Sequence, residues 1–526
     1  MTLPKNKIGY GICLLIALWL SSAIAVEEPI QLTAGKVSGL ELSSGIKVFR
    51  GIPFAAPPVG DLRWKPPQAA VPWSGVFPAD SYGPVCMQQR ATALMSEDCL
   101  YLNVWTKAEN TSEKKPVMVW IHGGGWSSGA SVNLGHSSTG VTGTYDGEAF
   151  ADNGVVLVSV NYRMNGFGFM AHPALSAESE QGVSGNYGIL DHIAALEWVR
   201  DNIEAFGGDP DNVTIFGESA GGASIYALLA TPMAKGLFHK AISESTWITP
   251  NNVTHLTRHN GLSESAESMG QKAISAKLAE LDKSVGGDLV AAMRAMTADD
   301  VLSMPLQVSL IEDGWVYPKS AAEIFAEGSH NIVPLLAGTN DGEGLLFVRG
   351  FRAINTVADQ RSAREAELGE LAGNLLDYYV AKTDADALEV EIDYNTDSWF
   401  ARPTRELVQA MANTSADSYM YVFTRNLQDP SQRSPHAMEL RYVFNELPDD
   451  ASRIDQDIAQ LMNDYWTQFA ATGNPNRTGL PHWPSYNLET QQHQYIGAEV
   501  EQGNFFLKEK LDELDRYISD RYASAE

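Results

Sequence analysis

An α/β architecture, with a large and mostly parallel central sheet flanked by helices, is predicted by three observations. The serine of Phe216-Gly217-Glu218-Ser219-Ala220-Gly221-Gly222 follows the β-branched run Val213-Thr214-Ile215 directly and precedes an apolar helical run marked by Ile225, Leu228 and Leu229. An apolar strand at residues 117–122 runs straight into Gly123-Gly124-Gly125. Residues 155–161 are apolar or β-branched at their centre, the pattern of a strand buried on both faces of a parallel sheet. A serine hydroxyl is a weak nucleophile unless it stands clear of the backbone, and glycines two positions to either side permit the tight strand-to-helix turn that exposes it.

The remaining elements follow in chain order. Residues 1–25 read as a secretory signal peptide: Lys5 and Lys7 precede an apolar run, and Ala23-Ile24-Ala25 offers a small-x-small cleavage site. Residues 26–526 then form one domain, since no linker, repeat or low-complexity tract divides them. Removal of the leader leaves Cys86 and Cys99, which in an exported chain are expected to form a disulfide. Closing a loop of about 14 residues stabilises a fold by roughly 3 kcal/mol in the chain-entropy model. Two free thiols or a metal site are the alternatives. The prolines in residues 49–60 predict ordered loop, and residues 97–105 alternate like a strand. The uncharged stretch at residues 127–144 is a surface loop beside the serine, where His136 is a candidate substrate contact.

Ile193, Leu196, Val199, Ile203 and Phe206 recur at helical spacing ahead of the turn Gly207-Gly208-Asp209-Pro210. A helical region at residues 266–304 departs from strand and helix alternation and is expected to cap the site. Residues 331–337 predict a strand ending in Gly338-Thr339-Asn340-Asp341-Gly342-Glu343-Gly344. Helix is expected over residues 359–413 and strand over 419–424. Ile458, Leu461, Met462, Tyr465, Trp466 and Phe469 form the apolar stripe of a docked helix that stops at Gly473-Asn474-Pro475.

The formal net charge is −28, or −30 once Lys5 and Lys7 are removed, and such a surface repels nucleic acid and anionic lipid. After leader cleavage no stable membrane insertion is expected, and the sequence leaves oligomeric state open. No His-Glu-x-x-His pattern or His and Cys cluster suggests a metal.

An activated serine needs a base, and in serine hydrolases of this architecture the groups come in the chain order nucleophile, acid, histidine. Only His436, His482 and His493 follow Glu343. His493 in Gln491-Gln492-His493-Gln494 and His482 between Pro481 and Trp483 read as surface. His436, in Ser434-Pro435-His436-Ala437-Met438-Glu439-Leu440, sits in a loop after a strand and is favoured. Spacing alone does not separate Glu343 from Asp341 as the acid.

Gly51-Ile52-Pro53-Phe54-Ala55, Glu97-Asp98-Cys99-Leu100-Tyr101-Leu102-Asn103, Gly123-Gly124-Gly125, Ser159-Val160-Asn161-Tyr162-Arg163, the elbow around Ser219 and the loops around Glu343 and His436 together resemble the type-B carboxylesterases, which include the cholinesterases. The resemblance spans almost the whole mature chain and implies an α/β-hydrolase fold. It also implies a Ser219, Glu343 and His436 triad, with an oxyanion hole formed by the N–H groups of Gly124, Gly125 and Ala220. An Arg63 to Glu97 pair and the Cys86 to Cys99 bridge are implied as well. Gly342 stands where the family usually has aspartate. The implied reaction is hydrolysis of a small-molecule carboxylic ester without a cofactor. Adhesion proteins of the family lack a triad residue, whereas this chain retains all three. Choline esters are disfavoured, because the loop at residues 87–98 contains no aromatic residue and carries Arg90.

Overall fold

The computed structural model describes residues 24–26, 28–89, 94–132, 144–249, 252–259, 263–282, 287–351, 354 and 356–523. Residues 1–23 of the expected signal peptide, Arg90 and His136 lie outside them.

A 12-stranded sheet organises the chain. From Val156–Val160, through Lys115–Ile121, Gly208–Glu218, Lys240–Glu244, Leu335–Asn340 and Ser418–Phe423, to Gln492–Ile496, every pairing is parallel. Antiparallel strands complete both ends, with Tyr101–Thr106 and Lys47–Pro53 on one side and Val500–Asn504 on the other. Along Lys115–Ile121 the side chains divide by parity. Val117, Val119 and Ile121 enter one core, with Leu196, Val199 and Leu228 from the helices Tyr187–Asn202 and Ala220–Ala230. Met118 and Trp120 enter the other, with Ile458, Met462, Trp466 and Phe469 from Arg453–Thr472. A period of two with both faces apolar is what a sheet covered on both sides requires.

The turn expected at Gly207 is present, with Gly207 at φ 78°, but Gly208 to Pro210 already belong to the strand. Pairing there is irregular: the register shifts between Lys115 and Val117, which accommodates a proline that cannot donate to the ladder. The loop expected at residues 49–60 needs correcting at its start, since Lys47–Pro53 is a strand. Its register shifts between Phe49 and Ile52, Gly51 takes φ 66°, and the proline closes the strand instead of interrupting it. The strand expected at 331–337 is Leu335–Asn340, displaced toward the acidic loop because Asn331 is tied to Leu229 O outside the sheet.

Residues 266–304 are helical in three pieces, Ala266–Glu280, Leu289–Arg294 and Ala298–Leu302. Arg63 anchors them, donating to Met296 O at 2.7 Å and Arg294 O at 3.1 Å while its guanidinium pairs with Glu97. Cys86 and Cys99 are disulfide-bonded. Ile24–Ala25 pairs with Leu40–Glu41 at the rim of the sheet, so cleavage after Ala25 would remove one two-residue edge strand. Among the described residues no helix is long and apolar enough to cross a membrane.

Candidate active site

The chain reverses its order of strand addition beside Lys115–Ile121, which lies between Val156–Val160 and Gly208–Glu218. Ligands of open α/β sheets bind at the carboxyl ends of strands at such a switch point. Two strands deliver their carboxyl ends there together, Ile121 into the glycine loop and Glu218 into Ser219.

Ser219 takes φ 59° and ψ −119°, a backbone conformation costly for a residue with a side chain and held only where the surroundings impose it. The surroundings do so by close approach. A Cβ on Gly217 would stand 2.7 Å from Ile121 O, and one on Gly221 would stand 2.1 Å from the same oxygen. The elbow is pinned by Ser219 N–H donating to Glu244 O at 3.0 Å and Trp247 N–H donating to Ser219 O at 3.2 Å. Gly123 packs against the serine, where a Cβ would stand 3.0 Å from Ser219 Cβ. Gly124 at φ 101° folds its carbonyl onto the N–H groups of Ser127 and Ser128, and its own amide, like those of Gly125 and Ala220, donates to no acceptor among the described residues. Trp247 faces this loop, 3.8 Å from where a Gly125 Cβ would lie, and its ring is 5.5 Å from that of Trp126.

Leu335–Asn340 and Ser418–Phe423 carry the loops of Glu343 and His436 to the same edge. The two loops are joined directly, since Gly342 N–H donates to Ser434 O at 3.0 Å and Gly342 bridges Pro435. A Cβ at 342 would meet Arg433 Cβ and Leu345 Cδ1 at 2.8 Å, which explains why glycine stands at this position here. His436 Nδ1 and Glu343 Oε2 are 2.5 Å apart. Glu343 is fully buried, and its other oxygen accepts from Ser245 Oγ at 2.6 Å, Asn340 N at 2.7 Å and Thr339 Oγ1 at 2.9 Å. Asp341, the competing acid, instead accepts from Ser434 N–H at 2.6 Å and so holds the histidine loop from behind. Burial pushes its carboxyl up to about 6.

The structure therefore brings Glu343 and His436 into contact and places Ser219 on the same edge, beside Glu218. His493, expected at the surface, is fully buried between Tyr495 and Phe506, because its polar neighbours lie in a hairpin that turns the imidazole inward. Phe400 and Phe347 close over His436 with ring centroids at 4.6 and 5.5 Å. They come from the π-helical turn Asp397–Ala401 and the 3-10 turn Glu343–Phe351, so cover over the histidine is built by these segments.

Three residues of the site were not singled out from the sequence. Glu218 places Oε1 3.1 Å from His436 Nε2, an ion-pair distance without hydrogen-bond alignment. Ser245 bridges Glu343 and the fully buried Glu439, whose other oxygen accepts from Asn340 Nδ2 at 2.5 Å. Burial raises both glutamates, Glu218 to about 8 and Glu439 to about 7. For His436 burial favours the neutral ring, but Glu218 and Glu343 outweigh it and push the imidazole up to about 9. A base must be neutral to accept a proton, so activity is expected to rise with pH toward that range. Glu218→Gln removes an anion that stabilises the imidazolium, and the acidic limb of kcat/KM against pH should move down by about one pH unit or more. An unmoved limb would contradict this coupling.

Among the described residues there is no group of three or more His, Cys, Asp or Glu that could hold a metal ion. A strained serine and an imidazole–carboxylate pair at the carboxyl edge of a parallel sheet are the arrangement of the α/β-hydrolase fold, and comparison with known proteins agrees. The family model described as carboxylesterase family matches residues 26–514. Para-nitrobenzyl esterase of Bacillus subtilis (strain 168) is 38% identical over 502 residues, covering 91% of this chain and 97% of its own. Fumonisin B1 esterase of Sphingopyxis macrogoltabida is 35% identical over 471 residues, covering 86% and 83%. A solved structure of PNB esterase superposes with a TM-score of 0.78 at 34% identity, over 93% of this chain and all of that one. The chain belongs to the carboxylesterase family and is a carboxylic ester hydrolase.

Proposed function

We propose that Ser219 is the nucleophile, His436 the general base and acid, and Glu343 the carboxylate that orients the imidazole, with Gly124, Gly125 and Ala220 supplying the oxyanion hole. The observation that carries this reading is the 2.5 Å contact of Glu343 with His436 Nδ1. It leaves Nε2, which Glu218 Oε1 approaches at 3.1 Å without hydrogen-bond alignment, as the nitrogen that exchanges a proton with substrate and serine. Ser219 Oγ attacks the ester carbonyl as its proton passes to Nε2, and the carbonyl π electrons move onto oxygen, where the three amides stabilise the charge. Collapse of this intermediate breaks the bond to the alcohol, which leaves with the proton from Nε2. Water, deprotonated by the same nitrogen, attacks the acyl-enzyme, and the acid departs as Ser219 regains its proton. The buried bonds from Ser245, Asn340 and Thr339 hold Glu343 in place throughout.

Residues 26–526 act as one exported domain in this reading, with residues 1–25 removed as a signal peptide, which the Cys86–Cys99 disulfide supports. The substrates are neutral or anionic esters. The loop at residues 87–98 offers no aromatic face to a quaternary ammonium, so butyrylcholine should show no advantage over its neutral isostere, 3,3-dimethylbutyl butyrate, in kcat/KM at low salt. A preference of about tenfold or more for the choline ester would mean that another ring, such as Trp126 or Trp247 beside the glycine loop, forms a cation site.

A further inference from the structure

A cavity of about 670 Å³ lies away from the ester-cleaving centre, and none of Ser219, Glu343 and His436 lines it. Its walls come from the two-stranded ribbon Val253–His255 with Leu310–Glu312 and from the helices Ala321–Ala326, Arg402–Ala412 and Lys508–Ala523. This volume suits a small organic ligand. One side is aromatic, with Tyr226 and Phe325 packed edge to face at 4.8 Å. Ile248, in its lining, donates its N–H to Trp399 O at 3.2 Å, in the turn whose Phe400 covers His436.

Two polar groups in this wall are unsatisfied. Tyr317 is 3% exposed, and its hydroxyl has no hydrogen-bond partner among the described residues. The same holds for Glu312 Oε1. Orphaned buried polar atoms cost free energy, and two in one cavity wall point to a ligand that completes them. The charges around them favour a cation. Glu312, Glu323, Glu406 and Asp515 line the cavity, against Arg258 and Arg402. Arg402 lies 3.4 Å from Glu406 and 3.5 Å from Asp515, and Glu323 accepts from Ser320 N–H at 3.0 Å. Arg258 turns its Nε to His255 Nε2 at 3.1 Å. Burial, with Glu323 adding to it and Arg258 opposing, pushes Glu312 up to about 7, so this carboxylate lacks a sufficient counter-charge of its own.

We propose that this cavity is a second ligand site, which takes a primary amine with an apolar body as its ammonium form, paired with the Glu312 carboxylate and donating to the Tyr317 hydroxyl oxygen, while the body lies against Tyr226 and Phe325. The test is calorimetric titration at pH 8 of the full mature chain, first inactivated with an organophosphonate so that the ester site is closed. The probes are 4-phenylbutylamine and the neutral 4-phenylbutan-1-ol. One amine should bind per chain, about tenfold or more tighter than the alcohol. Glu312→Gln should lose about tenfold for the amine and leave the alcohol unchanged, with ester hydrolysis retained, and Tyr317→Phe should weaken the amine severalfold. Equal affinity for the two probes, no saturable binding, or an undiminished Glu312→Gln would overturn the proposal. Because the ester site is blocked whichever residue carries the label, the outcome is separate from the assignment of Ser219.

Discussion

Ser219→Ala is expected to lower kcat for any ester substrate by about 10⁴-fold or more, leaving only the residual rate that binding and the oxyanion amides supply. The substitution removes one oxygen and leaves the backbone bonds of the elbow, to Glu244 O and from Trp247 N, in place. Its thermal midpoint should therefore stay close to that of the parent, which distinguishes lost chemistry from lost fold. KM should change little, since the hydroxyl binds the transition state far more than the ground state. A variant that keeps a tenth of the activity would remove Ser219 from the reaction.

The second large effect is expected at Glu343. Glutamine there turns an acceptor of four bonds into a group with two donors, placed among Ser245 Oγ, Asn340 N, Thr339 Oγ1 and His436 Nδ1, all of which need an acceptor or impose a tautomer. The imidazole would lose the carboxylate that stabilises its charged form, and kcat should fall by about 10²- to 10⁴-fold. Asp341→Asn is the control. Asparagine Oδ1 still accepts from Ser434 N–H, so the loop keeps its bond and activity should fall by less than about tenfold. If the aspartate change proves more damaging by about a hundredfold, the acid has been misassigned.

The two acids differ in a way that the sequence alone does not carry. Ser219 was legible because an elbow is a short-range device: its glycines are dictated by atoms within one turn and one neighbouring strand, and they leave a contiguous pattern. His436 was legible through chain order. Asp341 and Glu343 share one loop, and only the partner loop determines that one meets Ser434 N–H and the other the imidazole. Ser245 and Glu439 escaped notice for the same reason. The available signals were weak: Ser245 directly follows the strand Lys240–Glu244 at its carboxyl end, and Glu439 lies three residues beyond His436. Proline misled at residues 49–53, where it ends a strand and does not exclude one. The polar flanks of His493 misled in the same way, since in a hairpin one face of a polar run still packs inward.

Covalent acylation of Ser219 is measured most directly by active-site labelling of the full chain with a chromogenic organophosphonate, followed by peptide mapping. One label per chain is expected, carried on Ser219 in the peptide containing Gly217-Glu218-Ser219-Ala220-Gly221, with loss of esterase activity in proportion to labelling. Stoichiometric inactivation with the adduct on any other residue, or full activity after Ser219 is labelled, would contradict it.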